Sequence, residues 1–149
     1  MVHIKQAGVE DIETIIPLFA AYRTFYKVES DPAQLRSYLH ERLKNNQSVI
    51  FLATSGGTAV GFTQLYPGFS SVSLKNTWTL NDLFVAPEAR RSSIGQQLMD
   101  RAKQMAKDSG ASKVTLLTAT DNVTAQSLYE KLGYERETAF YGYNLRLTN

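Results

Sequence analysis

The sequence predicts a single α/β domain, residues 1–149, with a mixed central sheet and helices on both faces. Three observations predict it. Apolar residues recur with a helical period in some stretches and crowd into short β-rich runs in others. Glycine, proline, Asp-Pro and Asn-Asn signals separate those stretches. The resulting element order is β-α-α-β-β-β-α-β-α-β, with helices interleaved among strands.

Residues 2–6 read as a short strand. GVEDIETIIPLFAAYRTFY then carries Ile12, Ile15, Ile16, Phe19 and Tyr22 at helical spacing, with Pro17 as an expected kink. Asp31-Pro32 is a helix start, an N-cap followed by proline at the first helical position. That helix shows an inward stripe of Leu35, Leu39 and Leu43 and should end at Asn45-Asn46. SVIFLAT and TAVGFTQLY are strands joined at Ser55-Gly56-Gly57, a hairpin signal. A loop holding Pro67 and Gly68 should precede a longer strand, VSLKNTWTLNDLFV. Residues 94–109 form an amphipathic helix through Ile94, Leu98, Ala102, Met105 and Ala106, with Gly110 as its C-cap. KVTLLTAT is a further strand, TAQSLYEKLG a short helix ending at Gly133, and AFYGYNLRL a final strand.

At 149 residues the chain can bury one substantial core, and 43% hydrophobic with 20% charged residues is an ordinary globular profile. A net charge of +2 is too small to argue for nucleic acid or a membrane surface, so charge must act locally. No apolar stretch reaches the length of a membrane span, and MVHIKQAG lacks the segments of a signal peptide. With no cysteine there is neither a disulfide nor a thiol nucleophile, which fits a cytoplasmic location. His3 and His40 read as surface residues, so neither a histidine-ligated metal nor a Ser-His-Asp triad is expected.

The most informative stretch is VAPEARRSSIGQQLM. A helix start exposes backbone N–H groups and partial positive charge. In a loop of small residues, a phosphate can reach those groups, and Arg90 and Arg91 would add full charge. A solvated turn capped by a serine is the competing reading. Gly95 favours the phosphate, because glycine in a first helical turn costs up to about 1 kcal/mol and suggests close approach by a ligand or another backbone. Neither G-x-x-x-x-G-K-[ST] nor G-x-G-x-x-G is present.

At these residues the chain resembles the GNAT acetyltransferase superfamily, over nearly its whole length. The family's V-x-P-x-x-R-x-x-G-x-G/A segment corresponds to Val85, Pro87, Arg90, Ser93 and Gly95, with Arg91, Ser92 and Ile94 between them. Its N-x-x-A-x-x-L/F-Y-x-x-x-G-F/Y motif corresponds to Asn122, Ala125, Leu128, Tyr129, Gly133 and Tyr134. The resemblance implies the GNAT fold and an acetyl-coenzyme A pyrophosphate held by Arg90 and the N–H groups of Ser93 to Gln96. It also implies that Asn122 belongs to the cofactor site and that backbone groups of Leu83, Phe84 and Val85 hold the pantetheine arm. Ser93 stands where the family has its first glycine. A positive φ there would cost serine about 1 to 3 kcal/mol; otherwise its hydroxyl can donate to a phosphate oxygen.

The resemblance further implies transfer of acetyl to a primary amine of a small molecule or peptide, directly in a ternary complex and without metal. Tyr129 matches the tyrosine that protonates the departing sulfur; a phenol near pKa 10 against a thiol near ~8.5 stays neutral at pH 7 and can donate. Asn81 and Asp82 interrupt an apolar strand and are the polar candidates at the reacting centre. By alternation Asn81 should face with Leu83 and Val85, and Asp82 with Leu80 and Phe84. TLNDLFV is similar to the L-E-D-F-F-V strand of diamine and polyamine acetyltransferases, with Asn81 in place of their glutamate. Asp82 is then a substrate anchor, a water-relayed base or a structural ion-pair partner. Tyr22, Tyr26, Glu29 and Asp31, near the junction of the first two helices, suit an ammonium group. Family members are often homodimers. The rival class is a catalytically silent member that binds coenzyme A as a sensor.

Overall fold

A computed structural model describes residues 1–90 and 92–148. The described chain forms two compact units, Met1–Leu117 and Thr118–Asn149. Among the described residues no helix is long and apolar enough to cross a membrane.

The first unit is a five-stranded sheet in the order β1-β2-β3-β4-β5. β1 (Val2–Gln6), β2 (Val49–Ser55), β3 (Thr58–Ser70) and β4 (Lys75–Val85) pair antiparallel. β5 (Val114–Thr115) pairs parallel with Trp78 and Thr79 of β4. α1 (Ile12–Phe25) follows a short 3-10 turn at Val9–Asp11 and stays helical through Pro17. α2 (Pro32–Lys44) starts as the Asp-Pro signal requires: the Asp31 carboxylate accepts from the Ala33 N–H at 3.1 Å. Gly56 and Gly57, at φ 58° and 82°, make the tight β2–β3 turn that only such backbone freedom allows without strain.

One face of the sheet is covered by α1 and α2. Ile12, Ile15, Ile16, Phe19, Leu35 and Leu39 pack there on Ile50, Leu52, Phe62 and Phe84. α3 (Ile94–Asp108) covers the other face through Ile94, Leu98, Met99, Ala102 and Ala106. It ends as predicted: Gly110 has φ 76°, its N–H bonds Lys107 and the Ala111 N–H reaches Ala106. The second unit contains α4 (Val123–Lys131), capped by the Asn122 carbonyl on the Ala125 N–H at 3.1 Å and closed at Gly133.

Three expectations need correction. The loop at Pro67 and Gly68 is strand: β3 continues to Ser70, with Pro67 opposite Trp78. β2 pairs with β3 only as far as Leu65, so Pro67 sits where β3 has β4 alone beside it and its missing N–H breaks no ladder. The strand expected over 113–120 shrinks to Val114–Thr115. AFYGYNLRL forms no strand among the described residues; a strand needs a ladder partner for its N–H and C=O groups, and the described residues of its own unit offer none.

Gly61 in β3 lies beneath α3. A Cβ there would meet the Phe84 carbonyl oxygen at 2.9 Å and the Leu98 side chain at 3.4 Å. Gly61→Ala should therefore destabilise the protein by about 1 to 3 kcal/mol, the usual cost of overpacking against backbone. Urea unfolding measures it; an unchanged midpoint would show that α3 can shift freely on the sheet.

Candidate active site

The site begins with an irregularity in β4. Gln64 pairs with Asp82, but Leu65 pairs with Leu80, so Asn81 is an extra residue without a cross-strand partner. This is a β-bulge. Cross-strand partners share a face, so Asp82 lies with Gln64, Phe62 and, as alternation predicts, Phe84, toward α1 and α2. Leu80 goes with Leu65 to the opposite face. Simple alternation, which grouped Asp82 with Leu80 and separated it from Asn81, fails for that reason. Asn81 and Asp82 both line one cavity.

That cavity measures about 470 Å³, and its walls include Phe19, Tyr22, Arg23, Tyr26, Tyr38 and Tyr66 beside the Asn81–Asp82 pair. Asp82 is 3% exposed. Its Oδ2 accepts from Gln64 Nε2 at 2.6 Å and its Oδ1 from Asn81 Nδ2 at 2.8 Å. Burial pushes the Asp82 carboxyl above the usual carboxylate range, while the hydrogen bonds from Gln64, Asn81 and Tyr22 pull it back. Tyr22 donates to the Asn81 carbonyl at 3.1 Å, and burial together with the Asp82 charge holds its phenol well above the ordinary tyrosine range. Tyr38 and Tyr66 share a hydrogen bond of 2.6 Å, and burial holds the Tyr66 phenol high as well. Tyr22 and Tyr66 are therefore neutral hydroxyls at neutral pH.

Of the five residues expected to bind the acceptor, Tyr22, Tyr26 and Asp82 line the cavity, the two tyrosines edge to face with ring centroids 5.1 Å apart. Glu29 and Asp31 do not line it. Asp31 is taken up by the α2 cap, and Glu29 contributes its backbone carbonyl to Arg23. Gln64, Tyr38, Tyr66 and Arg23 are functional candidates missed in the sequence. Gln64 carried a signal, a lone amide inside the apolar run VGFTQLY; Tyr38 and Tyr66 carried none beyond their type.

The cradle follows directly from β4. Arg90 Nε donates to the Val85 carbonyl at 2.8 Å, and the guanidinium lies over the Phe84 ring at 5.5 Å. Arg91 lies outside the described residues. Ser92 donates to the Ala89 carbonyl at 2.6 Å. Ser93, at the N-cap of α3, has φ −85°, so the position needs no glycine and serine is unstrained. Its hydroxyl oxygen accepts from Gln97 Nε2 at 2.7 Å and caps no first-turn N–H. The Ile94 N–H instead reaches Ser92 Oγ at 3.4 Å, a long contact. Beyond Thr79, β4 has no β5 residue beside it, and this edge contains Leu83, Phe84 and Val85. An extended chain with amide groups fits such an edge.

In the second unit, Asn122 is committed to capping α4 through its carbonyl. Tyr129 lies in α4, with its ring centroid 6.1 Å from that of Tyr134. Among the described residues no three His, Cys, Asp or Glu side chains gather as a metal-holding group, and His3 and His40 are exposed.

Known proteins share this chain's family and fold. The sequence profile described as Acetyltransferase (GNAT) family matches residues 15–134. A relative from Bacillus subtilis (strain 168), the uncharacterized N-acetyltransferase YhfO, is 47% identical over 145 residues, 97% of each chain. A crystal structure of a probable acetyltransferase superposes with a TM-score of 0.94 at 42% identity, covering 99% of both chains. A predicted acetyltransferase from Clostridium acetobutylicum, solved with acetyl-CoA, shares the fold at a TM-score of 0.79 and 16% identity, covering 97% of this chain and 96% of that one. The chain belongs to the GNAT acetyltransferase family and has its fold; it is an acyltransferase.

Asp82→Asn tests how the buried carboxylate is held. An acid whose folded pKa lies above its unfolded value is penalised in the fold as pH rises, because the unfolded chain ionises first. The Asn variant escapes that penalty. Its melting temperature, measured against wild type, should therefore improve from pH 4 to pH 7; a constant difference would mean that the hydrogen bonds fully offset burial.

Proposed function

We propose that residues 1–149 act as a single N-acetyltransferase domain, using acetyl-coenzyme A to acetylate a primary amine by direct transfer in a ternary complex. The carrying observation is the buried Asp82 carboxylate in an aromatic-walled cavity, on the same strand that leads into the cradle. When bound, acetyl-coenzyme A supplies the activated acetyl thioester. Arg90, Ser92, Ser93 and the start of α3 hold its pyrophosphate, together with Arg91, and the open edge at Leu83 to Val85 takes the pantetheine amides. Gly95 lets the phosphates approach the backbone closely.

An amine with pKa near 10 arrives protonated at neutral pH. Tyr22 and Tyr26 present ring faces and hydroxyls to that ammonium, and Asp82 attracts it. Asp82 then accepts its proton directly or through a water, and its raised pKa improves it as a base. Asn81 cannot take a proton; it donates to Asp82 Oδ1 and fixes the carboxylate's orientation. Tyr129 supplies a proton to the departing sulfur, the role its motif implies. Coenzyme A release against a panel of amines tests this reading, and no release with any amine would leave the silent, coenzyme-binding alternative. Tyr129→Phe should lower kcat by 10²- to 10⁴-fold, as for loss of a positioned acid, with coenzyme A binding nearly unchanged. Rates within about threefold of wild type would reduce Tyr129 to a packed aromatic.

We also infer a homodimer. The family that the chain resembles often dimerises, and the alternating run Tyr141, Tyr143, Leu145 and Leu147 has the apolar pattern of a strand that a second copy can pair with. Sedimentation should give twice the chain mass, and a single-chain mass at micromolar protein would overturn the inference.

A further inference from the structure

The acceptor cavity has two charged side chains in its wall, of opposite sign: Asp82 and Arg23. Asp82 has its amide donors. Arg23 has no such complement. Its Nη1 donates to the Glu29 carbonyl at 2.9 Å and to Ser30 Oγ at 2.8 Å, both neutral acceptors. Among the described residues, Nε and Nη2 make no hydrogen bond and no carboxylate lies within ion-pair distance of the guanidinium. The α2 arginines, by contrast, are paired, Arg36 with Glu13 at 2.8 Å and Arg42 with Glu41 at 3.1 Å.

A guanidinium held half-buried at a cavity wall by two neutral groups retains a planar fork of donors for an anion. The two bonds to residues 29 and 30 fix the fork in place, so little rotamer entropy is lost when it binds. Oxygen anions of carboxylate geometry match it best. We propose that the acceptor is zwitterionic, an amino acid or a similar small amine, with its ammonium at Asp82 and its carboxylate on Arg23. Arg23 is then a specificity-determining residue. The inference rests on the acetyltransferase reading of this cavity and adds the second charge that its substrate must carry.

The test compares amino acids of several amine-to-carboxylate separations with their own carboxamides, in wild type, Arg23→Gln and Arg23→Lys. For at least one separation, wild type should prefer the acid by about tenfold or more in kcat/KM, the scale of one charge-assisted pair. Arg23→Gln should erase that preference by lowering kcat/KM for the acid far more than for the carboxamide, and Arg23→Lys should restore part of it. A loop-stabilising role alone would lower acid and carboxamide alike, and that result, or equal rates in wild type, overturns the proposal. If no amine is turned over, the acetyltransferase reading fails separately. Calorimetric titration of acid and carboxamide into coenzyme A-loaded protein then decides: an Arg23-dependent preference for the acid upholds the inference, and equal or absent binding overturns it.

Discussion

The extra residue in β4 is the constraint on which the site depends. Without a bulge at Asn81, the alternation that buries Phe84 on the α1–α2 face would carry Leu80 there too. Asp82 would still lie opposite Gln64, but with Leu80 beside it on the cavity face. With the bulge, the register steps by one between Gln64 and Leu65, Leu80 returns to the α3 face, and Asn81 lines the cavity beside Asp82. One irregularity thus supplies α3 with an apolar neighbour and clears the cavity wall next to the carboxylate. The free backbone of the bulged residue contributes as well, since the Asn81 carbonyl holds the Tyr22 hydroxyl and links α1 to the strand.

A carboxylate at this depth is destabilising unless its oxygens are satisfied. Each Asp82 oxygen receives one amide N–H, and its backbone carbonyl receives the Thr63 hydroxyl at 2.7 Å. The network remains incomplete at one point. Gln64 Oε1 is buried with no partner, because its amide is turned so that nitrogen faces the carboxylate. That orientation is what an ionised Asp82 demands; a neutral side chain at 82 could donate to Oε1 with the amide flipped. Among the described residues the Gln64 amide thus directs its N–H to the carboxylate, and its Oε1 finds no protein donor.

Most of the elements were legible because their signals are local. Asp31-Pro32, Gly56-Gly57 and Gly110 each dictate a cap or turn through their own backbone preferences, and each does so in the structure. Pro67 misled because a proline's cost depends on which side of a strand has a neighbour, and that is decided by where β2 ends. AFYGYNLRL misled because alternation shows what a segment can pair as, never whether a partner is present. In the site, the residue types at 81, 82 and 22 were readable, but their grouping was not. A bulge leaves no mark on apolar periodicity when the extra residue is polar and falls beside another polar one. Arg23 was invisible for a different reason: its importance lies in lacking an acid partner, which only three-dimensional neighbours reveal.

β4 also sets the distance between the two chemistries. Asp82 and Val85 are three positions apart on one strand, about 10 Å along it, and the loop that leads to α3 starts immediately afterwards. Arg90 folds back onto the Val85 carbonyl, so the cation is anchored to the end of the strand rather than swinging on the loop. On the proposed reading, the amine cavity at Asp82 and the polyphosphate loop at the start of α3 are thus fixed on one rigid element. Their separation cannot vary without breaking the β3–β4 ladder. This arrangement explains why a nearly neutral chain suffices. Opposite charges placed at a set spacing on a strand can select an amine at one end and a polyphosphate at the other, and neither needs the field of the whole protein.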